Sequence, residues 1–262
     1  MKLTDILSYV ETLAPQAFQE DYDNSGLILG DPEAEVSSIL VCLDVDQDAL
    51  NFAAEKGCQL IISHHPAIFK AAKVFTHDTR EGRLLVEAIK KDIALYSAHT
   101  NFDAALGGLT DLLCKKIGLK NIEILKGFST LKADHGSGRY GNITPVEGEQ
   151  FIKDIKSVLS LDVVRTVGKI PESISRVAVY NGSYDRDILP ELCALNPQAL
   201  ITGDLKYHDA QELLESGVFT LDAGHYGTEK LFVDEMTKLL KPAFPHLNIL
   251  PFEGADVFCF HH

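Results

Sequence analysis

The sequence predicts an α/β fold of two similar lobes with mainly parallel sheets. Short runs that are apolar on both faces, such as SILVCLDV at residues 38–45, alternate with helix-period segments such as GRLLVEAIKK at 82–91. Strands that are buried on both faces and separated by helices are typical of βαβ units and parallel sheets. Polar residues follow three such runs in each half of the chain, which indicates two lobes of similar design.

The first half of the chain shows this alternation most clearly. An amphipathic pattern predicts a surface helix within residues 1–15. The predicted elements that follow are a strand at 38–45, a helix at 49–57, a strand at 58–65, a helix at 82–91, a strand at 93–100 and a helix at 109–118. We therefore predict that residues 1–125 form the first lobe.

A glycine-rich polar stretch, residues 127–145, weakens the alternation and predicts a boundary or a sheet edge. The predicted elements beyond it are a helix at 149–159, a strand at 175–183, helix and strand patterns at 190–204 and again at 210–225, a helix at 228–241 and a strand at 248–252. Residues 126–262 are thus predicted to form the second lobe. In the alternative, the C-terminal helix and strand pack back on the first lobe.

The polar segments that follow the apolar runs form a faint repeat. They are LDVDQD, SHHP and HTNFD in the first half, and NGSYD, TGDLKYHD and DAGHYGTE in the second. Open α/β sheets bind ligands at the carboxyl ends of their strands. A gene duplication with both sheet ends facing one cleft would explain the regularity. Chance similarity between short segments is the alternative.

The charge and the hydropathy pattern argue against several classes of protein. A formal net charge of −14 repels phosphate backbones and anionic membrane surfaces, so we expect neither nucleic acid nor membrane binding. The N-terminal helix lacks the pattern of a secretory signal, and no run of about 18 apolar residues marks a membrane span. The five cysteines form no C-x-x-C pair, which is typical of reduced thiols. We expect a cytoplasmic protein.

Two adjacent histidines, His64 and His65, end the apolar run CQLII, and Pro66 restrains the turn after them. Adjacent side chains in extended backbone point in opposite directions. The pair could therefore converge on one ion only where the chain bends, and otherwise suits two neighbouring ions. A histidine satisfied in a turn beside an exposed one is the alternative without a metal.

Three more candidate ligands, Asp103, His225 and Glu229, follow other apolar runs. A helix that starts near Tyr226 places His225 and Glu229 on one face, because they are four residues apart. Three imidazoles and two carboxylates, without a thiolate, suit zinc, iron or manganese. Five ligands exceed the need of one catalytic ion, whereas a carboxylate that bridges two ions about 3.5 to 4 Å apart uses them all. We predict a dinuclear site.

Five motifs occur in order along nearly the whole chain: DYDNSGLILG, SHHP, HTNFDAA, ITGDLKYHDA and DAGHYGTE. This combination resembles the Nif-three-like family, the dinuclear metal-centre proteins known as GTP cyclohydrolase I type 2 homologues. The resemblance implies one continuous family domain of two α/β lobes, with two metal ions at the lobe interface and a ring-shaped homohexamer. It places the metal ligands on the same five residues: His64, His65, Asp103, His225 and Glu229.

The resemblance also points to residues near the metals: His99, Asn101, Thr202, Gly203, Asp204, Lys206 and His208. Asp204 and His208 are our candidates for catalytic proton transfer. In the alternative, Asp204 forms a surface ion pair with Lys206, and His208 only begins a helix. In the opening motif, Asp23 and Asn24 either form a turn or line the site, and Tyr22 stands where the family often carries a tryptophan.

Two hypotheses of different classes remain. The first is a dinuclear metal-dependent hydrolase that acts on a small nucleotide or cyclic amide, such as a GTP cyclohydrolase, with a phosphoesterase as a close variant. The second is a non-enzymatic metal-binding protein of the same ring-forming family, with a regulatory or scaffold role.

Overall fold

The computed structural model describes residues 1–128 and 135–260, which confirm the predicted α/β class. The chain divides into two compact units. The first unit consists of Met1–Phe102 and Leu231–Ala255, and the second of Asp103–Lys230 and Asp256–His262. In the part of the chain that the structure describes, no helix is both long and apolar enough to cross a bilayer.

The first unit is built around a five-stranded sheet. Its strands are β1 (Gly26–Leu29), β2 (Ser38–Cys42), β3 (Leu60–Ser63), β4 (Ala94–Ser97) and β11 (Asn248–Phe252). Its helices are α1 (Leu3–Leu13), α2 (Gln47–Glu55), α3 (Arg80–Lys90) and α10 (Leu231–Ala243). The strand order is β1-β4-β3-β2-β11, and β1 is antiparallel to β4 while the other neighbours are parallel.

The strands β2, β3 and β4 end side by side. Cys42 pairs with Ser63, and Ser63 pairs with Ser97, so the segments that follow these strands leave the sheet at one edge. The strands are fully buried, and Leu40, Ile61 and Leu95 belong to the apolar core that anchors them. The polar segments after the strands are therefore held at a fixed edge by a packed core.

The second unit contains a six-stranded mixed sheet. Its strands are β5 (Lys120–Gly127), β6 (Gly136–Val146), β7 (Arg165–Val167), β8 (Ile174–Ser183), β9 (Ala199–Gly203) and β10 (Thr220–Asp222). Its helices are α5 (Leu109–Lys116), α6 (Gly148–Leu159), α7 (Leu189–Leu195), α8 (Tyr207–Ser216) and α9 (His225–Glu229), and α4 (Thr100–Ala104) carries the chain into this unit. The order is β5-β6-β8-β9-β10-β7, with β8, β9 and β10 parallel and the outer strands antiparallel.

Residues 136–145 of the glycine-rich stretch that marked the predicted lobe boundary lie in β6, which pairs with both β5 and β8 and is therefore not an edge strand. The strand β5 includes residues 125 and 126 and pairs with β6, and both strands belong to the second unit. Residues 129–134 of this stretch lie outside the described residues. The C-terminal helix and strand belong to the first unit, where β11 pairs with β2.

Candidate metal centre

The first unit brings three imidazoles together after β3 and β4. We call His64, His65 and His99 the histidine cluster. One ring nitrogen of each lies within 4.8 Å of the others, so these residues could hold a metal ion. His64 is fully buried and packs against Phe232 of α10, with ring centroids 5.0 Å apart, whereas His65 is partly exposed. The cluster thus has a fixed buried side and a side that solvent reaches.

A bend directly after β3 lets the two adjacent histidines converge. Ser63 Oγ donates to His65 O at 2.7 Å, and Ser97 Oγ donates to His64 O at 2.7 Å. As a result, the ring centroids of His64 and His65 lie only 5.1 Å apart. The chain thus bends directly after β3, and both rings lie in the histidine cluster.

Every imidazole of the histidine cluster has its Nδ1 atom beside an oxygen. The oxygen atoms are Ala98 O for His64 at 2.8 Å, Asp44 Oδ1 for His65 at 2.8 Å, and Asp23 Oδ1 for His99 at 2.7 Å. An acceptor beside Nδ1 favours the tautomer protonated there, which places the lone pair on Nε2. Metal-ligating histidines are held in this way, because the acceptor orients the ring and raises its basicity.

The opening motif supplies the acceptor for His99. Asp23 also accepts hydrogen bonds from Thr100 N at 3.1 Å, Thr100 Oγ1 and Ser25 Oγ. Burial disfavours the charged carboxylate, but His99 and the other donors hold the pKa of Asp23 well below its usual range. Asp23 is therefore ionised at neutral pH, and its turn supports the histidine cluster.

An exposed aromatic pair lies beside the histidine cluster. The rings of Tyr22 and Phe69 meet edge to face with centroids 6.2 Å apart, and the ring of Phe69 contacts His99 with centroids 6.0 Å apart. Both aromatic side chains are largely exposed, Tyr22 at 57% and Phe69 at 43%. Asn24 Nδ2 donates to Ile68 O at 2.7 Å and ties the two loops together.

The second unit carries the other three predicted ligands: Asp103, His225 and Glu229. The helix α9 begins at His225 and ends at Glu229, so both side chains lie on one face, as their spacing predicts. His225 Nε2 lies 2.9 Å from Glu229 Oε2. Two ligand atoms about 2.0 to 2.2 Å from one tetrahedral zinc ion lie about 3.3 to 3.6 Å apart, slightly farther than these two atoms.

Asn181 joins the two carboxylates of this set, a role that the sequence did not reveal. Its Nδ2 donates to Asp103 Oδ1 at 2.8 Å and lies 3.3 Å from Glu229 Oε1. Thr110 Oγ1 donates to Asn181 Oδ1 at 2.6 Å and thereby fixes which way the amide faces. The position of Asn181 at the polar end of β8 was the available signal, because the other strand ends carry site residues as well.

A buried arginine holds the segment that follows Asp103. Arg139 is 1% exposed, and its guanidinium donates to the carbonyl oxygens of Ala104 at 2.9 Å and Ala105 at 3.0 Å. Its Nε donates to Asp111 Oδ1, which balances the buried charge. The position of Asp103 therefore depends on a charge pair within the second unit.

The two units contain the same carboxylate and histidine arrangement. Asp44 follows β2 and contacts His65 after the neighbouring β3; Asp204 follows β9 and contacts His225 after the neighbouring β10. In both pairs Nδ1 lies 2.8 Å from the carboxylate, and 21 residues separate the partners. This match aligns β2 with β9, one strand later than the repeat inferred from the sequence, which aligned β2 with β8.

Other residues of the sequence-based set lie in several environments. Thr202 is buried near the end of β9, and Asn101 is buried with its Nδ2 donating to Ala14 O at 2.7 Å. Lys206 is the residue before α8, and His208 is exposed in its first turn with Nδ1 3.0 Å from Gln211 Oε1. The recorded contact of Asp204 is with His225, which favours an orienting role for this carboxylate.

Comparison with known proteins decides the family. The DUF34/NIF3 (NGG1p interacting factor 3) family model matches residues 1–255. The chain belongs to the DUF34/NIF3 family. A Clostridium perfringens relative named GTP cyclohydrolase 1 type 2 homolog is 38% identical over 87% of each chain. A Streptococcus pneumoniae protein of the same name is 32% identical over 100% of both chains.

Solved structures of similar length share this fold. A hypothetical protein from Staphylococcus aureus superposes with a TM-score of 0.91 at 28% identity, covering 100% of this chain and 99% of its own. HcgD from Methanocaldococcus jannaschii, in its reduced state, superposes with a TM-score of 0.82 at 27% identity, covering 95% and 97%. The family resemblance inferred from the five motifs is thus confirmed.

Proposed function

We propose that this chain is a metal-dependent hydrolase that binds two divalent ions, zinc, iron or manganese, and acts on a small nucleotide or cyclic amide. The ligands would be His64, His65, Asp103, His225 and Glu229. One observation carries the metal part of the proposal. The Nδ1 atoms of His64, His65 and His225 are all held by oxygen acceptors, which leaves Nε2 as the coordinating atom.

The hydrolase part follows from the chemistry of such ions. Divalent ions bound there would lower the pKa of water to near neutrality and polarise the bond under attack. Within the chain, Asp44 and Asp204 hold His65 and His225 in position, and Asn181 orients two carboxylates. His208 is the candidate for moving a proton, because its imidazole is exposed in the first turn of α8 and can both donate and accept hydrogen bonds.

A nucleotide substrate is supported by two observations. Relatives at 38% and 32% identity carry the name GTP cyclohydrolase 1 type 2 homolog. The exposed Tyr22 and Phe69 rings beside the histidine cluster offer a face on which a planar base could stack. The loop after Phe69 also carries Lys70 and Lys73, which are positive charges in a chain of net charge −14. A phosphate group would be attracted to them.

The aromatic pair makes substrate binding measurable. The chain has no tryptophan, so Phe69→Trp introduces a single fluorescent reporter at the stacking position. We expect guanosine to quench this fluorescence with saturation, and ribose 5-phosphate to leave it unchanged. Adding Tyr22→Ser should weaken guanosine binding about fivefold or more, because stacking of a base on an aromatic ring contributes about 1–3 kcal/mol. Equal quenching by both compounds would contradict a base-stacking role.

A second candidate function is a non-enzymatic metal-binding scaffold, and His208→Ala separates the two. The metal-loaded protein is first screened for hydrolysis of GTP and related purine nucleotides. On the hydrolysed compound, His208→Ala should lower turnover about 100-fold or more, while its metal content stays at the parent level. Gln211→Ala, which removes only the neighbour of His208, is the matched control and should retain most turnover.

Absence of hydrolysis by the fully metal-loaded parent would favour the scaffold. In that case His208→Ala should bind the partner of the protein as the parent does. The homohexamer that the resemblance implies belongs to the same proposal, as does a small-molecule substrate. The mass of the assembly in solution, measured by light scattering, tests the hexamer directly.

A further inference from the structure

The motif DAGHYGTE contains one acidic residue that the proposed ligand set does not use, Asp222. It ends β10, and its side chain is almost fully buried. A buried carboxylate is costly unless donors surround it, so its contacts indicate what it does in the fold. The Asp222 carboxylate accepts hydrogen bonds from three residues of the second unit: Arg165, Leu205 and Gly224.

Two of these donors are backbone N–H groups in the segments that carry Asp204 and His225. Asp222 Oδ1 accepts from Gly224 N at 2.9 Å, directly before His225. Asp222 Oδ2 accepts from Leu205 N at 3.2 Å, directly after Asp204. One carboxylate therefore ties together the segment after β9 and the segment after β10.

The third donor is the guanidinium of Arg165, which lies opposite Asp222 in the β7 and β10 pairing. Arg165 Nη2 also donates to Leu205 O at 3.2 Å. The arginine thus compensates the buried negative charge and holds the same residue that Asp222 holds. The Arg165 side chain is itself largely exposed, so the guanidinium loses little hydration when it pairs with Asp222.

These contacts form a closed ring of interactions. Asp222 accepts a hydrogen bond from Gly224 N, and Gly224 directly precedes His225. His225 Nδ1 lies 2.8 Å from Asp204 Oδ2. Leu205, which follows Asp204, donates its N–H to Asp222 and closes the ring. Asp204 has a backbone φ of 45°, a left-handed conformation that most residues avoid. Such a conformation persists where surrounding contacts enforce it. The Leu205 bond to Asp222 is one such contact.

We propose that Asp222 is a positioning residue for metal binding. It fixes Asp204 against His225, and so sets the direction of the His225 ring before a metal arrives. The inference rests on the proposed role of His225 as a ligand. Asparagine at 222 has the same shape but only one acceptor oxygen and no charge, so it cannot satisfy both backbone donors and Arg165.

The test compares zinc affinity among the metal-stripped parent and three full-length variants. Asp222→Asn should weaken zinc binding about tenfold or more, the usual range for a residue that orients a metal-ligating group. Thr220→Val is the matched control. It lies in the same strand, and its buried hydroxyl contacts Val218 O at 3.3 Å, within the segment that leads into β10. It should lower the melting temperature without changing zinc affinity.

A cobalt absorption spectrum adds a measurement that general destabilisation would not alter. Asp222→Asn should change the band shape of bound Co²⁺, and Thr220→Val should leave it as in the parent. Parent-like zinc affinity and cobalt spectrum in Asp222→Asn would overturn the positioning role. So would equal losses of affinity in Asp222→Asn and Thr220→Val.

The third variant, His225→Ala, separates this inference from the proposal on which it rests. Loss of zinc binding in His225→Ala, together with parent-like binding in Asp222→Asn, would overturn the positioning role alone. Parent-like binding in His225→Ala would overturn the ligand assignment of His225, and with it both proposals.

Discussion

Replacing His65 by alanine is expected to lower the bound metal from about two ions per chain to one or none. His65 belongs to the histidine cluster, and Asp44 holds its ring by Nδ1, so the substitution removes an oriented ligand and leaves Asp44 without that partner. The measurement is elemental analysis of protein purified without an affinity column, since such columns load or strip metal.

His77→Ala is the matched control for His65→Ala. His77 is an exposed histidine of the first unit whose Nε2 lies 3.4 Å from Lys90 Nζ, and it is not a member of the histidine cluster. The control should keep the metal content of the parent. No bound metal in the parent, even after supplementation with zinc, iron and manganese, would refute the metal centre and the hydrolase built on it.

Replacing Gly182 by alanine should reduce both stability and metal content. Gly182 has a φ of 65°, and an added Cβ would lie 2.2 Å from Glu229 Oε1 and 3.5 Å from His225 Nε2. The left-handed backbone costs a non-glycine residue about 1–2 kcal/mol. The steric conflict would in addition displace the buried Glu229 carboxylate. Chemical denaturation and elemental analysis measure the two effects.

Gly217→Ala isolates the backbone part of this effect. Gly217 directly follows α8 with a φ of 78°, and an added Cβ there would meet no atom within 4 Å among the described residues. It should therefore lose about 1–2 kcal/mol of stability while keeping its metal. Equal metal content in both variants would show that Glu229 tolerates displacement or is not a ligand.

The sequence predicted the elements whose patterns are local. The apolar runs that became β2, β3, β4, β8, β9 and β10 are each followed by polar residues, and the helix that carries His225 and Glu229 begins where their spacing required. The antiparallel strands β5, β6 and β7 were not predicted as strands. Their side chains are only partly buried, so they show neither a continuous apolar run nor a clear alternation.

The residues that orient the ligands could not be read from the sequence. Asp44 and His65 are 21 residues apart, and Asp23 and His99 are 76 residues apart. Their contact depends on strand order and register, which local pattern does not specify. His99 entered only through the family resemblance, although the candidate ligand Asp103 stands four residues after it.

The oxygen acceptors of the histidine cluster have a consequence for how a metal is acquired. Each ring is already restrained at Nδ1 by a carbonyl or a carboxylate, so its loss of rotational freedom occurs when the chain folds. An arriving ion then has little ordering to impose on the cluster. In small zinc domains, by contrast, metal binding and folding are a single event. We therefore expect that an ion can bind to this cluster, or leave it, without unfolding of the chain.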